Sequence, residues 1–163
     1  MTTPVTIALT VNGEARRLNV EPRRTLADAL RDGLGLTGTH LGCEHGVCGA
    51  CTILLDGEPV RACLVFAVQA EGREIRTVEG LAAPDGTLNA LQESFRANHG
   101  LQCGYCTPGF LMLATWLLDQ KEPVTEERLR HVLSSNLCRC TGYQNILKAV
   151  RAAAQAAGRW APA

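Results

Sequence analysis

The sequence predicts an α+β chain in two parts: a β-grasp unit over residues 1–80 and an all-α, four-helix unit over residues 85–158. Three observations carry this. The first half is built of short β-branched runs separated by turn pairs. The second half repeats apolar residues at helical spacing. Between them, Ala82-Ala83-Pro84-Asp85-Gly86 is a breaker-rich connector. At 163 residues the chain can hold one ordinary domain or two small ones.

Taken in order, Val5–Val11 and Ala15–Val20 read as strands joined by Asn12-Gly13, a strong hairpin signal. Thr25 reads as a helix N-cap with Asp28 three residues on, and Leu26, Ala29 and Leu30 give that helix one apolar face. Residues 33–38 read Gly-Leu-Gly-Leu-Thr-Gly, a match to the dinucleotide fingerprint G-x-G-x-x-G. That fingerprint acts only between a strand and a helix. Here it follows a helical pattern and leads into a cysteine-rich loop, so no nucleotide site is expected. Cys51–Leu55 reads as a strand, Asp56-Gly57 as a turn, and Val60–Val68 as the partner strand bearing Cys63. Glu74–Val78 is the expected last strand.

Beyond the connector, Leu88, Leu91 and Phe95 share a helix face, with Gly100 as the expected stop. Thr107 is expected to cap a second helix with Pro108 at its first position. Pro123 and Thr125 open a third through Leu129, Val132 and Leu133. Thr141 with Gln144 reads as a capping box for a fourth, carrying Ile146, Leu147, Val150 and Ala154.

Cysteine is where the chemistry concentrates. Cys43, Cys48 and Cys51 stand at C-x4-C-x2-C spacing, and eleven residues separate Cys51 from Cys63. This is the spacing of plant-type [2Fe–2S] ferredoxins. Four thiolates must converge on one small volume, and a glycine-bearing loop plus a neighbouring strand can deliver them. Paired short spacings, the usual mark of zinc, are absent from this set. The second set is Cys103-x2-Cys106 and Cys138-x-Cys140. Cys106-Thr107-Pro108 and Cys140-Thr141-Gly142 each place a cysteine before an expected helix start, where N–H groups and the helix dipole favour an anion. A second [2Fe–2S] cluster and a structural zinc both remain compatible with that spacing. The two foursomes use all eight cysteines. The four histidines, His45 of the first loop included, carry no ligand pattern.

Lys+Arg and Asp+Glu number 16 each, giving a formal charge of zero, so neither nucleic acid nor an anionic membrane is the expected partner. No apolar run approaches the ~20 residues of a membrane span. The first residues show no signal peptide, and the pairs Arg16-Arg17 and Arg23-Arg24 precede no hydrophobic segment. A cytoplasmic location is therefore expected, with thiols kept reduced and free for metal.

Three stretches carry a family resemblance: Cys43-Glu44-His45-Gly46-Val47-Cys48-Gly49-Ala50-Cys51-Thr52, Gly100-Leu101-Gln102-Cys103-Gly104-Tyr105-Cys106-Thr107-Pro108-Gly109, and Asn136-Leu137-Cys138-Arg139-Cys140-Thr141-Gly142-Tyr143. From about Val5 to Ala154 the chain resembles the iron–sulfur subunit of the xanthine oxidase family of molybdenum hydroxylases. The resemblance implies a plant-type [2Fe–2S] ferredoxin-like domain followed by a helical [2Fe–2S]-binding domain, and it favours iron over zinc at both sites. It implies a large partner subunit with a molybdenum–pterin cofactor, approached by Gln102 and linked through Cys140. It further implies a medium subunit with FAD facing the first cluster. Electrons would run from molybdenum to the 103/106/138/140 cluster, then to the 43/48/51/63 cluster, then to FAD or another acceptor. The substrates implied are aldehydes, N-heterocycles or aromatic acyl-CoA esters. Flavin and molybdenum domains are expected on separate chains, as a heterotrimer or heterodimer. The chain itself has no catalytic dyad and no nucleophile with a base, so no substrate site is expected on it. The competing reading is a free-standing ferredoxin; the second metal set and the neutral charge argue against it.

Overall fold

The computed structural model describes residues 3–162. Met1 and Thr2, which the sequence places in the first unit, lie outside the described residues. Strand β1 (Val5–Val11) turns back into β2 (Glu14–Val20) through Asn12-Gly13, with Val11 facing Glu14 across the hairpin. Both turn residues have positive φ, 51° and 81°. Asp56-Gly57, at 50° and 83°, does the same between β3 (Thr52–Leu55) and β4 (Glu58–Arg61). Such turns match the twist of the strands they join. With β5 (Glu74–Arg76) the sheet runs β2-β1-β5-β3-β4; β1 and β5 are parallel and the other pairs antiparallel. Thr25 caps α1 (Leu26–Asp28) by accepting the Asp28 N–H, and the helix widens into a π-turn over Ala29–Gly33. Leu26, Ala29 and Leu30 are buried against the sheet, as their spacing demands.

The expected strand Val60–Val68 is shorter. Pairing ends at Arg61, and Ala62–Leu64 form a 3-10 turn, followed by another over Ala67–Ala70. An apolar run does not fix its own period. Here the chain curls so that Ala62, Cys63, Ala67 and Ala70 all face inward, which a straight strand with alternating faces does not allow.

The helical part holds α2 (Ala90–Ala97), α3 (Thr107–Asp119), α4 (Glu126–Leu133) and α5 (Gln144–Ala156). Three cap expectations are corrected. Helix α2 ends not at Gly100 but through His99, which takes the left-handed φ of 52°, while Gly100 packs close to the Phe95 ring and Ala149. Cys106, not Thr107, is the N-cap of α3. Tyr143, left-handed at φ 68°, precedes α5, so Thr141 and Gln144 form no capping box. Thr141 turns its hydroxyl to the Tyr143 N–H and to Cys138 instead. Short polar side chains trade between such local partners readily, and their spacing alone does not choose one. Thr125 does cap α4, through the Arg128 N–H.

Helix α3 is apolar nearly all round, with Gly109 through Thr115 and Leu117 buried, so it lies at the centre. It packs against β3, the strand buried along its full length. Ile53 and Leu55 join the core of the first unit, while Leu54 points the other way into the helical core. The period of two along one strand thus places one residue in each core and fixes the two units side by side.

Candidate metal centres

All eight cysteines are free thiols. The first four lie on the irregular stretch after α1, at the start of β3 and on the turn after β4. Positive φ at Glu44, Gly46 and Gly49 coils the stretch tightly. Cys43 and Cys48 are half-buried; Cys51 and Cys63 are buried. The Cys48 N–H donates to Cys43 Sγ at 3.4 Å. That bond, with help from the His45 N–H, draws the Cys43 thiol down to about 6. Burial pushes Cys51 up to about 11, with Cys63 beside it. His45 is exposed, and its Nδ1 pairs with the Cys43 carbonyl at 2.5 Å.

The second four surround one cavity of about 210 Å³, and Cys48 of the first set stands at its edge beside Gly42, Ala50 and Tyr105. Cys103 and Cys140 are exposed with sulfurs 3.5 Å apart. Cys106 is half-buried and Cys138 buried, and the two thiols neighbour each other. Burial pushes Cys106 up to about 12. At Cys138 burial works upward too, but the Thr141 hydroxyl and N–H outweigh it and hold the thiol below its ordinary value. Only Cys106 sits at a helix start; Cys140 lies four residues before α5, so the expected second dipole is not aimed from Cys140. Gln102 is exposed next to Cys103.

Within each foursome the thiols neighbour one another, 43 by 48 and 51 by 63 in the first, 103 by 140 and 106 by 138 in the second, with further neighbours across these pairs. Among the described residues no three His, Cys, Asp or Glu side chains close on a single point. A tetrahedral zinc draws four donors round one centre. A two-iron cluster takes four cysteines as two on each iron. The donor set fits the second.

Three residues that sequence reasoning gave no role hold the two sets together. Asn136, buried, donates its Nδ2–H to the Gly49 carbonyl at 3.2 Å. The Leu137 N–H donates to the Cys48 carbonyl at 2.8 Å. Arg61 reaches the Gly46 carbonyl at 3.4 Å, the Thr52 hydroxyl, and the Ser135 carbonyl at 2.6 Å. Tyr143 adds a clasp within the second set by accepting the Cys138 N–H at 3.0 Å. Nothing in spacing or periodicity marks Arg61; Asn136 and Tyr143 at least flank the cysteine motif.

Residues 9–83 match a family model described as a 2Fe-2S iron-sulfur cluster binding domain, and residues 77–151 match a [2Fe-2S] binding domain. The chain is 59% identical over 148 residues to caffeine dehydrogenase subunit gamma of Pseudomonas sp. strain CBB1, covering 89% of this chain and 88% of that protein. It is 57% identical over 155 residues to the nicotine 6-hydroxylase small subunit of Paenarthrobacter nicotinovorans, covering 92% and 93%. Its fold superposes on a chain of quinoline 2-oxidoreductase from Pseudomonas putida 86 with a TM-score of 0.91 and 54% identity, over 97% of this chain and 98% of that one. With its β-grasp sheet, its helical unit and two cluster-binding domains, the chain belongs to the iron–sulfur small subunits of the xanthine oxidase family of molybdenum hydroxylases, the electron-transfer component of multi-subunit oxidoreductases.

Proposed function

We propose that Cys43, Cys48, Cys51 and Cys63 hold one [2Fe–2S] cluster and Cys103, Cys106, Cys138 and Cys140 the other. Each neighbouring pair would hold one iron. The observation that carries this is the gathering of eight free thiols as two foursomes, the second lining one cavity. When bound, the clusters supply one-electron carriage. The protein's part is to supply, orient and shield them. Buried Cys51, Cys63 and Cys138 keep water from one side of each site, and Thr141 and the Cys48 N–H bond to sulfur.

The large catalytic partner is a property of the family. We assign its docking face to the exposed second site. Gln102, Cys103 and Cys140 are all open to solvent there, with exposed Leu101, Tyr105 and Leu137 around them. Gln102 and Cys140 are then the residues that meet the pterin. Exposed Val47, Leu64 and Phe66 are apolar side chains suited to the other end, a flavin-binding medium subunit beside the first cluster. The domain limits 1–80 and 85–158 place the join in the connector, next to the overlap of the two family matches. Caffeine, nicotine and quinoline, named in the relatives, are all nitrogen heterocycles. Of the substrate classes implied by the sequence, the N-heterocycles are therefore the one we propose for the partner. Among the described residues no helix is long and apolar enough to cross a membrane.

The test is anaerobic. Added N-heteroaromatic substrate should bleach the visible absorbance of the assembled complex, and leave that of the isolated, iron-loaded chain unchanged. An isolated chain that alone accepts and passes on electrons at full rate would point to a free-standing ferredoxin.

A further inference from the structure

Arg61 ends β4 two residues before Cys63, and its side chain lies across the first cysteine loop. Its three partners are the Gly46 carbonyl, the Thr52 hydroxyl and the Ser135 carbonyl. Gly46 and Thr52 bracket Cys48 and Cys51. The guanidinium carbon also stands close to Gly49, between those two cysteines. Every acceptor is neutral. Among the described residues no carboxylate lies within ion-pair distance of Arg61, although nine such pairs form elsewhere. Half-buried Arg61 therefore presents its charge to the first cysteine loop with no carboxylate beside it.

We propose that Arg61 is the fixed counter-charge of the cluster held by Cys43, Cys48, Cys51 and Cys63, and raises that cluster's reduction potential relative to a neutral residue. This rests on the assignment of those four thiols to a [2Fe–2S] cluster. Four thiolates and two sulfides outweigh the charge of two irons, so the bound cluster is an anion. It becomes more negative when it takes one electron from a reductant. A nearby fixed cation therefore stabilises the reduced form more than the oxidised form. The fork geometry of Arg61 holds that charge in place from both sides, one arm on the first loop and one on Ser135, three residues before Cys138.

The experiment compares Arg61→Gln and Arg61→Lys in the assembled enzyme. Iron content, circular dichroism and the potential of each cluster, by spectroscopically monitored titration with dithionite, are read together. Arg61→Gln should load about four irons and shift the oxidised-to-reduced ratio of the first cluster about tenfold toward oxidised at a fixed potential, about 59 mV for one electron. Arg61→Lys, which keeps the charge and loses the fork, should stay within about twofold of the parent by the same relation. Loading of Lys but not Gln also supports the proposal, because charge is then what the anionic site requires. Equal shifts in both variants, no shift in Gln, or failure of both to load with an intact fold would overturn it. An iron-free parent enzyme would instead defeat the cluster assignment itself.

Discussion

Gly109 backs onto Gly49 so closely that a methyl group on Gly109 would stand 2.2 Å from the Gly49 carbonyl oxygen. The first turn of α3 and the first cysteine loop thus meet backbone to backbone. That approach lets Asn136 bond to the same carbonyl and brings Cys48 to the rim of the second cavity.

Gly109→Ala should therefore open the seam between the units. Overpacking of this kind costs about 1–3 kcal/mol. Thermal unfolding should show a lowered midpoint, with far-UV circular dichroism below the transition unchanged. An unaltered midpoint would mean that the two glycines are not held in contact.

At Asn136 the two obvious changes should differ. Alanine loses one buried hydrogen bond, about 1 kcal/mol, while Thr52 still donates to the Gly49 carbonyl at 2.6 and 3.1 Å. Aspartate sets an acceptor-only group against that carbonyl in a buried place and should cost more. Denaturant unfolding of both variants checks the order; aspartate proving as stable as alanine would contradict it.

Thiol reactivity of the iron-free chain should follow the local environment. A lowered thiol is thiolate at lower pH, so Cys43, near 6, is about 90% thiolate at pH 7. Cys51 and Cys106, raised to about 11 and 12, are protonated there to all but about one part in ten thousand or less. Alkylation at pH 7 read by peptide mass spectrometry should label Cys43 well before Cys51 and Cys106. Labelling of Cys51 first would show that the loop's N–H groups do not face Cys43.

Exposed Gln102 and Cys140 give two partner-side predictions. Gln102→Ala should weaken assembly with the large subunit about tenfold, or about 1.4 kcal/mol, by titration, without changing the melting of the isolated chain. Cys140→Ser should slow reduction by substrate in stopped-flow mixing while dithionite still reduces the first cluster normally. Unchanged assembly in the first case, or unchanged substrate reduction in the second, would remove these residues from the interface.

Much of this was legible beforehand because its signals are local. Asn12-Gly13 and Asp56-Gly57 encode their own turns, Thr25 and Thr125 cap as their neighbours require, and cysteine spacing marks the two foursomes proposed as ligand sets. Cys63 on a turn, rather than a strand, depends on inward packing of Ala62 and Ala67, which a single stretch of sequence does not encode. The capping box expected of Thr141 and Gln144 does not form because Thr141 is claimed by Cys138 and the Tyr143 N–H, partners that helix signals do not reveal. Arg61 was invisible for the same reason: Ser135 lies 74 residues away.

The central claim is tested most directly by electron paramagnetic resonance of the fully loaded, dithionite-reduced protein during a redox titration. The account predicts two distinct signals, each integrating to about one spin per chain, with about four irons in all. A single signal, or none, from a sample carrying its full iron content would contradict it.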